Sequence, residues 1–203
     1  MIWRFVPLTA VVLFIGVVFC WRPWLQLRRY GISGIVLFRS RRQGLRDVSA
    51  VALFVVLVGQ AATAAAWPSW LAARALHAPG PELWHAGGGV VLLGGLVLLL
   101  RAQLALGASW RIGIDEGARP GLMTGGLYRF CRNPIYLAIF LMLVGYALLL
   151  PTRLSLILLL VAYLGFRLQT AAEETYLLRT YGDEYREYAS RVGRFVPRLG
   201  TLR

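Results

Sequence analysis

The chain contains no lysine, only two cysteines and two histidines, and nine acidic residues against 22 arginines. Each scarcity excludes something. Cys20 and Cys131 stand far apart and form neither a metal-ligand spacing nor a disulfide framework. His77 and His85 flank a Pro/Gly-rich turn and read as ordinary interfacial residues, so no metal site is expected. There is no G-x-G-x-x-G, no P-loop, no Ser/His/Asp set and no internal repeat. The arginines are dispersed through the loops between apolar runs rather than gathered on one soluble face, which argues against a nucleic-acid partner.

What is abundant is apolar sequence. Hydrophobic residues make up 58% of the 203, the mean hydropathy is +0.63, and the formal charge is +13. A soluble protein usually holds about 45–50% apolar residues, so the composition predicts a membrane-embedded chain. Five apolar stretches stand out: 5–21, 48–67, 83–106, 135–150 and 154–168. The last two are short for a membrane span and are separated only by Pro151, Thr152 and Arg153, which predicts a tight helical hairpin. The first lacks an A-x-A cleavage site and is read as a retained span.

Arginine placement sets the expected orientation. The segment 22–47 carries seven arginines and one acid, and both the 111–132 loop and the C-terminal tail are arginine-rich. The connection after the second span carries few charges among Trp67, Trp70 and Trp84, an aromatic belt. The expectation is an N-terminus outside, a C-terminus in the cytosol, and residence in a cell inner membrane. Within the first basic segment, "GISGIVLF" (31–38) is too short to span and reads as an amphipathic or re-entrant piece. The glycine-rich "GGGVVLLGG" (87–95) lies inside an apolar run and predicts close helix–helix approach.

The stretch "RFCRNPIYLAIF" (129–140) carries chemistry. Asn133 is a favoured N-cap and Pro134 a favoured first helical residue, so the fourth span starts here with its free N–H groups facing the basic side. Such an end suits an anion, and Arg129 and Arg132 add charge beside it, with Gly125 and Gly126 allowing close backbone approach. Glu173 and Glu174 follow the fifth span and supply opposite charge. A ligand carrying both a carboxylate and an ammonium or sulfonium would match; so would plain Arg–Glu pairing. In the tail, Glu174, Leu178, Tyr181, Tyr185, Tyr188 and Val192 form one helical stripe. Gly182 is expected to end one helix and Asp183 to cap the next, with the stripe lying on the membrane or walling a site.

"GGLYRFCRNPIYLAIF", then a hairpin, then "EETYLLRTYGDEYREYASRVGRFVP" resembles the core of the isoprenylcysteine carboxyl methyltransferase and phospholipid methyltransferase family. Gly126, Tyr128, Arg132, Pro134 and Tyr136 match its first motif, while Glu173, Glu174, Leu177, Tyr185, Tyr188, Arg194 and Pro197 match the rest. The resemblance covers about 106–198, with Asn133 where the family has histidine and Gly193 where it has proline before the arginine, the latter expected to loosen that turn. It implies an all-α integral membrane bundle of about five spans with a C-terminal cytosolic amphipathic helix, divided into N-terminal spans (1–105) and a catalytic core (106–203). It implies an S-adenosylmethionine-dependent methyltransferase acting on a lipid or prenyl-type lipophilic acceptor. On that reading Arg132, Asn133 and Pro134 hold the cofactor carboxylate, and Gly126 lets backbone approach it. Tyr128, Tyr136, Tyr185 and Tyr188 wall the cofactor, Glu174 helped by Glu173 binds its ammonium or ribose, and Arg111 and Arg194 orient the acceptor. Two other readings are a nicotinamide-dependent membrane steroid or sterol reductase, disfavoured because "RNPIYLAIF" continues purely apolar, and a non-catalytic membrane partner protein.

Overall fold

The computed structural model describes residues 2–36, 41–69, 75–76, 80–113 and 121–201, with residues 2 and 41–43 as backbone only. His77, Trp70 and part of the "GISGIVLF" segment lie outside the described residues. The described architecture is all-helical: α1 (Trp3–Tyr30), α2 (Arg41–Ala66), α3 (Pro81–Ala105), α4 (Pro134–Leu149), α5 (Arg153–Tyr181) and α6 (Asp183–Arg191). Four of these, α1, α2, α3 and α5, contain stretches long and apolar enough to cross a membrane. α4 has 16 residues, about 24 Å at 1.5 Å per residue, which falls short of a ~30 Å hydrocarbon core. The protein is an integral, multi-pass membrane helical bundle.

α1 outruns its apolar run. A π-helical segment, Gly16–Trp21, leads into Arg22–Tyr30, and Gly31 at φ +72° ends the helix. The reason is Arg22, which is not a loop arginine at all: it is 1% exposed. Its Nη1 donates to Gln26 Oε1 (2.7 Å), its Nη2 to the Gly107 carbonyl (2.9 Å), and it lies 4.6 Å over the Trp110 ring. Gln26 Nε2 donates to the Ala108 carbonyl (3.0 Å). Together they satisfy carbonyls just past the end of α3, where a cation also complements the helix dipole. Beyond α1, residues 31–36 form no helix, and Val36 and Gly34 pair with Ile112 through two 2.8 Å backbone bonds.

Among the described residues the α3–α4 contact is the tightest helix pairing, and glycine makes it so. A Cβ on Gly145 would sit 2.6 Å from the Gly88 carbonyl oxygen, and one on Gly95 2.7 Å from Met142 Cγ. Gly88 and Gly95 therefore serve the close approach expected of the glycine-rich run, whereas Gly87 and Gly94 face open space. The α4–α5 hairpin is as short as expected. Thr152 caps α5 by accepting from the Ser155 N–H (3.1 Å), and Gln60 on α2 donates to both hydroxyls (2.8 and 2.9 Å).

α5 does not stop near residue 168. Its 29 residues run unbroken to Tyr181, about 43 Å, and carry Glu173 and Glu174 inside the helix rather than after it. Gly182 at φ +54° then ends α5 and also stands as the N-cap of α6. Asp183 is the first residue of α6 instead of its cap, and its carboxylate pairs with Arg186. The tyrosine stripe faces protein, not lipid: Tyr185, Tyr188, Ala189 and Val192 form a buried cluster with Leu122, Leu178 and Tyr181 packed against it.

Candidate functional site

The site grows from the threshold of α4. A 3-10 turn, Gly126–Arg129, starts at Gly126 with φ +59° and turns Tyr128 inward. Gly126 itself is exposed, and its backbone lies off the cavity wall described below. Asn133 takes the N-cap position of α4, but its side chain caps nothing: Nδ2 donates to the Arg194 carbonyl (3.1 Å). The tail after α6 folds back along this threshold, with the Arg132 N–H donating to the Gly193 carbonyl (3.0 Å) and the Asn133 N–H to the Arg194 carbonyl (3.2 Å). Gly193 is the opposite of a loosened turn. A Cβ there would collide with the Val196 carbonyl oxygen and lie 2.6 Å from that of Leu199, so the tail folds over this position only because no side chain is present.

Arg132 is the hub. It is buried, and all five of its N–H groups have acceptors. Nε and Nη2 donate to Glu174 Oε1 (3.2 and 2.9 Å), Nη1 to the Ala189 and Val192 carbonyls (2.8 and 2.5 Å), and Nη2 also to the Gly200 carbonyl (3.0 Å). Arg194 grips the same carboxylate from the tail, with Nε to Oε1 (3.1 Å) and Nη2 to Oε2 (2.6 Å). The result is a buried Arg132–Glu174–Arg194 triad. Charges removed from water at this depth are held only by near-complete pairing and hydrogen bonding, and here both arginines converge on one acid. The Glu174 carboxylate is thus held between two arginines, and the Arg194 guanidinium is turned to Glu174.

Beside the triad lies a cavity of about 330 Å³. Its wall takes the α4 start from Asn133, Pro134 and Tyr136, together with Arg132. Glu173 on α5 and the rings of Tyr128, Tyr185 and Tyr188 continue it, and Arg111 stands on the loop after α3. Gly126, Glu174 and Arg194 are not on it. Thus Glu173, not its neighbour, presents the carboxylate. Tyr136 Oη donates to Glu173 Oε1 (2.5 Å) and Gln169 Nε2 donates to the same oxygen (3.0 Å), which fixes the carboxylate's orientation.

The side chains of Tyr128, Tyr185 and Tyr188 line the cavity. Burial pushes the phenols of Tyr128, Tyr185 and Tyr188 well above their ordinary range, so they stay neutral. Tyr188 Oη is spent on the Tyr128 carbonyl (2.6 Å), leaving ring surface toward the cavity. Burial likewise pushes the Cys131 thiol up, and its Sγ points to the Arg194 carbonyl (3.5 Å).

Several wall residues escape a motif reading: Val18 from α1, Gln103 from α3, Trp110, and Tyr176 and Tyr181 from α5. Tyr181 was legible as part of the stripe. Gln103 left one signal, a lone amide in an apolar helix, where a polar side chain needs a reason.

The chain is similar to known proteins in sequence and in fold. The family model for phospholipid methyltransferase matches residues 83–184. The protein-S-isoprenylcysteine O-methyltransferase of Schizosaccharomyces pombe is 34% identical over 77 residues, covering 37% of this chain and 33% of that protein. The Rattus norvegicus protein of the same name is 27% identical over 143 residues, covering 66% of this chain and 50% of the relative. The chain therefore spans about a third to a half of the length of these curated relatives. A solved structure of a eukaryotic intramembrane Ras methyltransferase (isoprenylcysteine carboxyl methyltransferase) is similar with a TM-score of 0.62 at 22% identity, over 96% of this chain and 66% of that one. At that identity the likeness shows a shared fold.

Proposed function

The chain belongs to the phospholipid methyltransferase family, and from that premise we propose that it is a membrane-embedded, S-adenosylmethionine-dependent methyltransferase. Its acceptor on this reading is a lipophilic, prenyl-type molecule, and the threshold end of α4 faces the cytosol of an inner membrane. One observation carries the reading. A single cavity joins a helix N-terminus at Asn133–Tyr136, an oriented carboxylate at Glu173, and apolar side chains such as Val18 and Ile139 from membrane helices.

The residues fit the group. The N-terminal turn of α4, with the positive end of its helix dipole, suits the cofactor's carboxylate, and the Arg132-centred triad adds a net positive charge behind it. Glu173, held by Tyr136 and Gln169, suits its ammonium. When bound, S-adenosylmethionine supplies an electrophilic methyl on a sulfonium. The chain's own contribution is then to align and to exclude water. Tyr128, Tyr185 and Tyr188 close the wall with rings whose hydroxyls stay neutral, and displacement at a methyl depends more on alignment and desolvation than on a strong base. Arg111 orients an anionic or carbonyl group of the acceptor, and Arg194 acts through Glu174 by pinning the tail.

Calorimetry on the detergent-purified protein tests this. S-adenosylhomocysteine should bind and raise thermal stability, by about 2.7 kcal/mol at a hundredfold excess over its dissociation constant, while NADPH should do neither. NADPH binding without a response to S-adenosylhomocysteine would move the protein to the reductase class.

A further inference from the structure

We propose that the side-chain amide of Gln103 recognises an N–H or O–H group of the methyl acceptor, so that the acceptor is an amphiphile with a hydrogen-bond donor next to its apolar chain. The inference rests on the methyl-transfer reading and adds to it a specificity-determining residue.

Other buried glutamines give the contrast. Gln26 accepts from Arg22 and donates to the Ala108 carbonyl. Gln60 accepts from Tyr146 Oη (3.2 Å) and donates to Thr152 and Ser155. Both are bonded at each end, as buried amides are. Gln103 is 2% exposed, yet its Oε1 has no partner. Among the described residues two other buried side-chain atoms are also unpartnered, Arg4 Nε and Arg22 Nε, and neither residue lines the cavity. Gln103 does.

Its position explains why the amide is out of place as packing. Gln103 lies one turn beyond Leu99 on the same face of α3, and Leu99 packs in an apolar cluster with Val18 and Ile139. Those last two also line the cavity, with Leu106 and Trp110 nearby on its wall. A leucine at 103 would continue that face with nothing left unbonded. An acceptor oxygen there calls for a donor from whatever enters the cavity. The charged groups suited to the cofactor's amino-acid end stand on α4 and α5, whereas Gln103 shares its surroundings with membrane-helix side chains. The donor is therefore assigned to the acceptor and not to the cofactor.

The test uses full-length protein in detergent and three probes measured by calorimetry. They are S-adenosylhomocysteine, an N-acetylated S-farnesylcysteine with its amide N–H, and S-farnesyl-3-mercaptopropionate, which lacks it. The wild type should prefer the amide-bearing thioether by about tenfold, the worth of one hydrogen bond that is otherwise left unmade. Gln103→Leu should bind the two thioethers equally while holding S-adenosylhomocysteine within about twofold of wild type. Gln103→Met, which keeps the side-chain length, guards against a packing defect and should behave the same way. No preference in the wild type, or a preference kept by both variants, would overturn the proposal. Loss of S-adenosylhomocysteine binding in both variants would hand the amide to the cofactor and overturn it too. Failure of the wild type to bind S-adenosylhomocysteine would instead strike the methyl-transfer reading itself.

Discussion

The two ends of α4 are built on opposite principles. At the hairpin end, Gln60, Tyr146, Thr152 and Ser155 make a neutral network in which every member keeps more than one partner. At the threshold end, Arg132, Glu174 and Arg194 make a charged one in which a single carboxylate serves two cations. The neutral network sits against glycine-mediated backbone contact and borders no described cavity, so it fixes the register of α2 against the hairpin. The charged network borders the cavity and gathers the α4 start, α5 and the tail into one unit. Redundant neutral bonds tolerate loss, whereas a shared counter-charge does not.

The comparison predicts first that the two ends lie on opposite sides of the membrane. Cys131 is buried and cannot report this, so cysteines at exposed Arg129 and Ser69 are the probes, in a background with Cys20 and Cys131 replaced by alanine. An impermeant thiol reagent added to intact cells should label the Ser69→Cys protein and leave the Arg129→Cys protein unlabelled, an all-or-none contrast. Reversed labelling would invert the proposed orientation.

Next in size is Glu174→Gln. It strands two guanidinium groups, one of them fully buried, and should destabilise the protein by about 3–5 kcal/mol in thermal unfolding, with the tail becoming open to protease. A loss under 1 kcal/mol would show that water reaches the triad. The smallest effect belongs to Gln60→Leu. Tyr146 retains the Leu57 carbonyl, Ser155 the Leu150 carbonyl, and Thr152 the Ser155 N–H, so the cost should be about 1 kcal/mol. A cost matching that of Glu174→Gln would erase the distinction between the ends.

Particular residues show how far the sequence could be read. The apolar runs located the membrane helices, because a helix buried in lipid must be apolar over its length. They missed the length of α5, since hydropathy ends where the lipid ends while helical hydrogen bonding continues to Gly182. They misfiled Arg22, because an arginine at the edge of an apolar run looks the same whether it snorkels or caps α3. Gly193 looked permissive and is obligatory, a property of the Val196 and Leu199 carbonyls folded over it rather than of its own neighbours in sequence.

The sequence by itself determined the membrane class, the start of α4 at Asn133-Pro134, the hairpin, and the set of tyrosines, arginines and acids that gather at the threshold. Local chemistry dictates all of these: apolar length, proline at a first turn, three residues too few for a loop. Only the tertiary structure decided which of two adjacent glutamates meets the cavity. Consecutive helical residues point about 100° apart, so one face of α5 turns Glu173 to the cavity and the next buries Glu174 between Arg132 and Arg194. Both of those partners lie far from Glu174 in sequence, and only the folding-back of the tail brings them together.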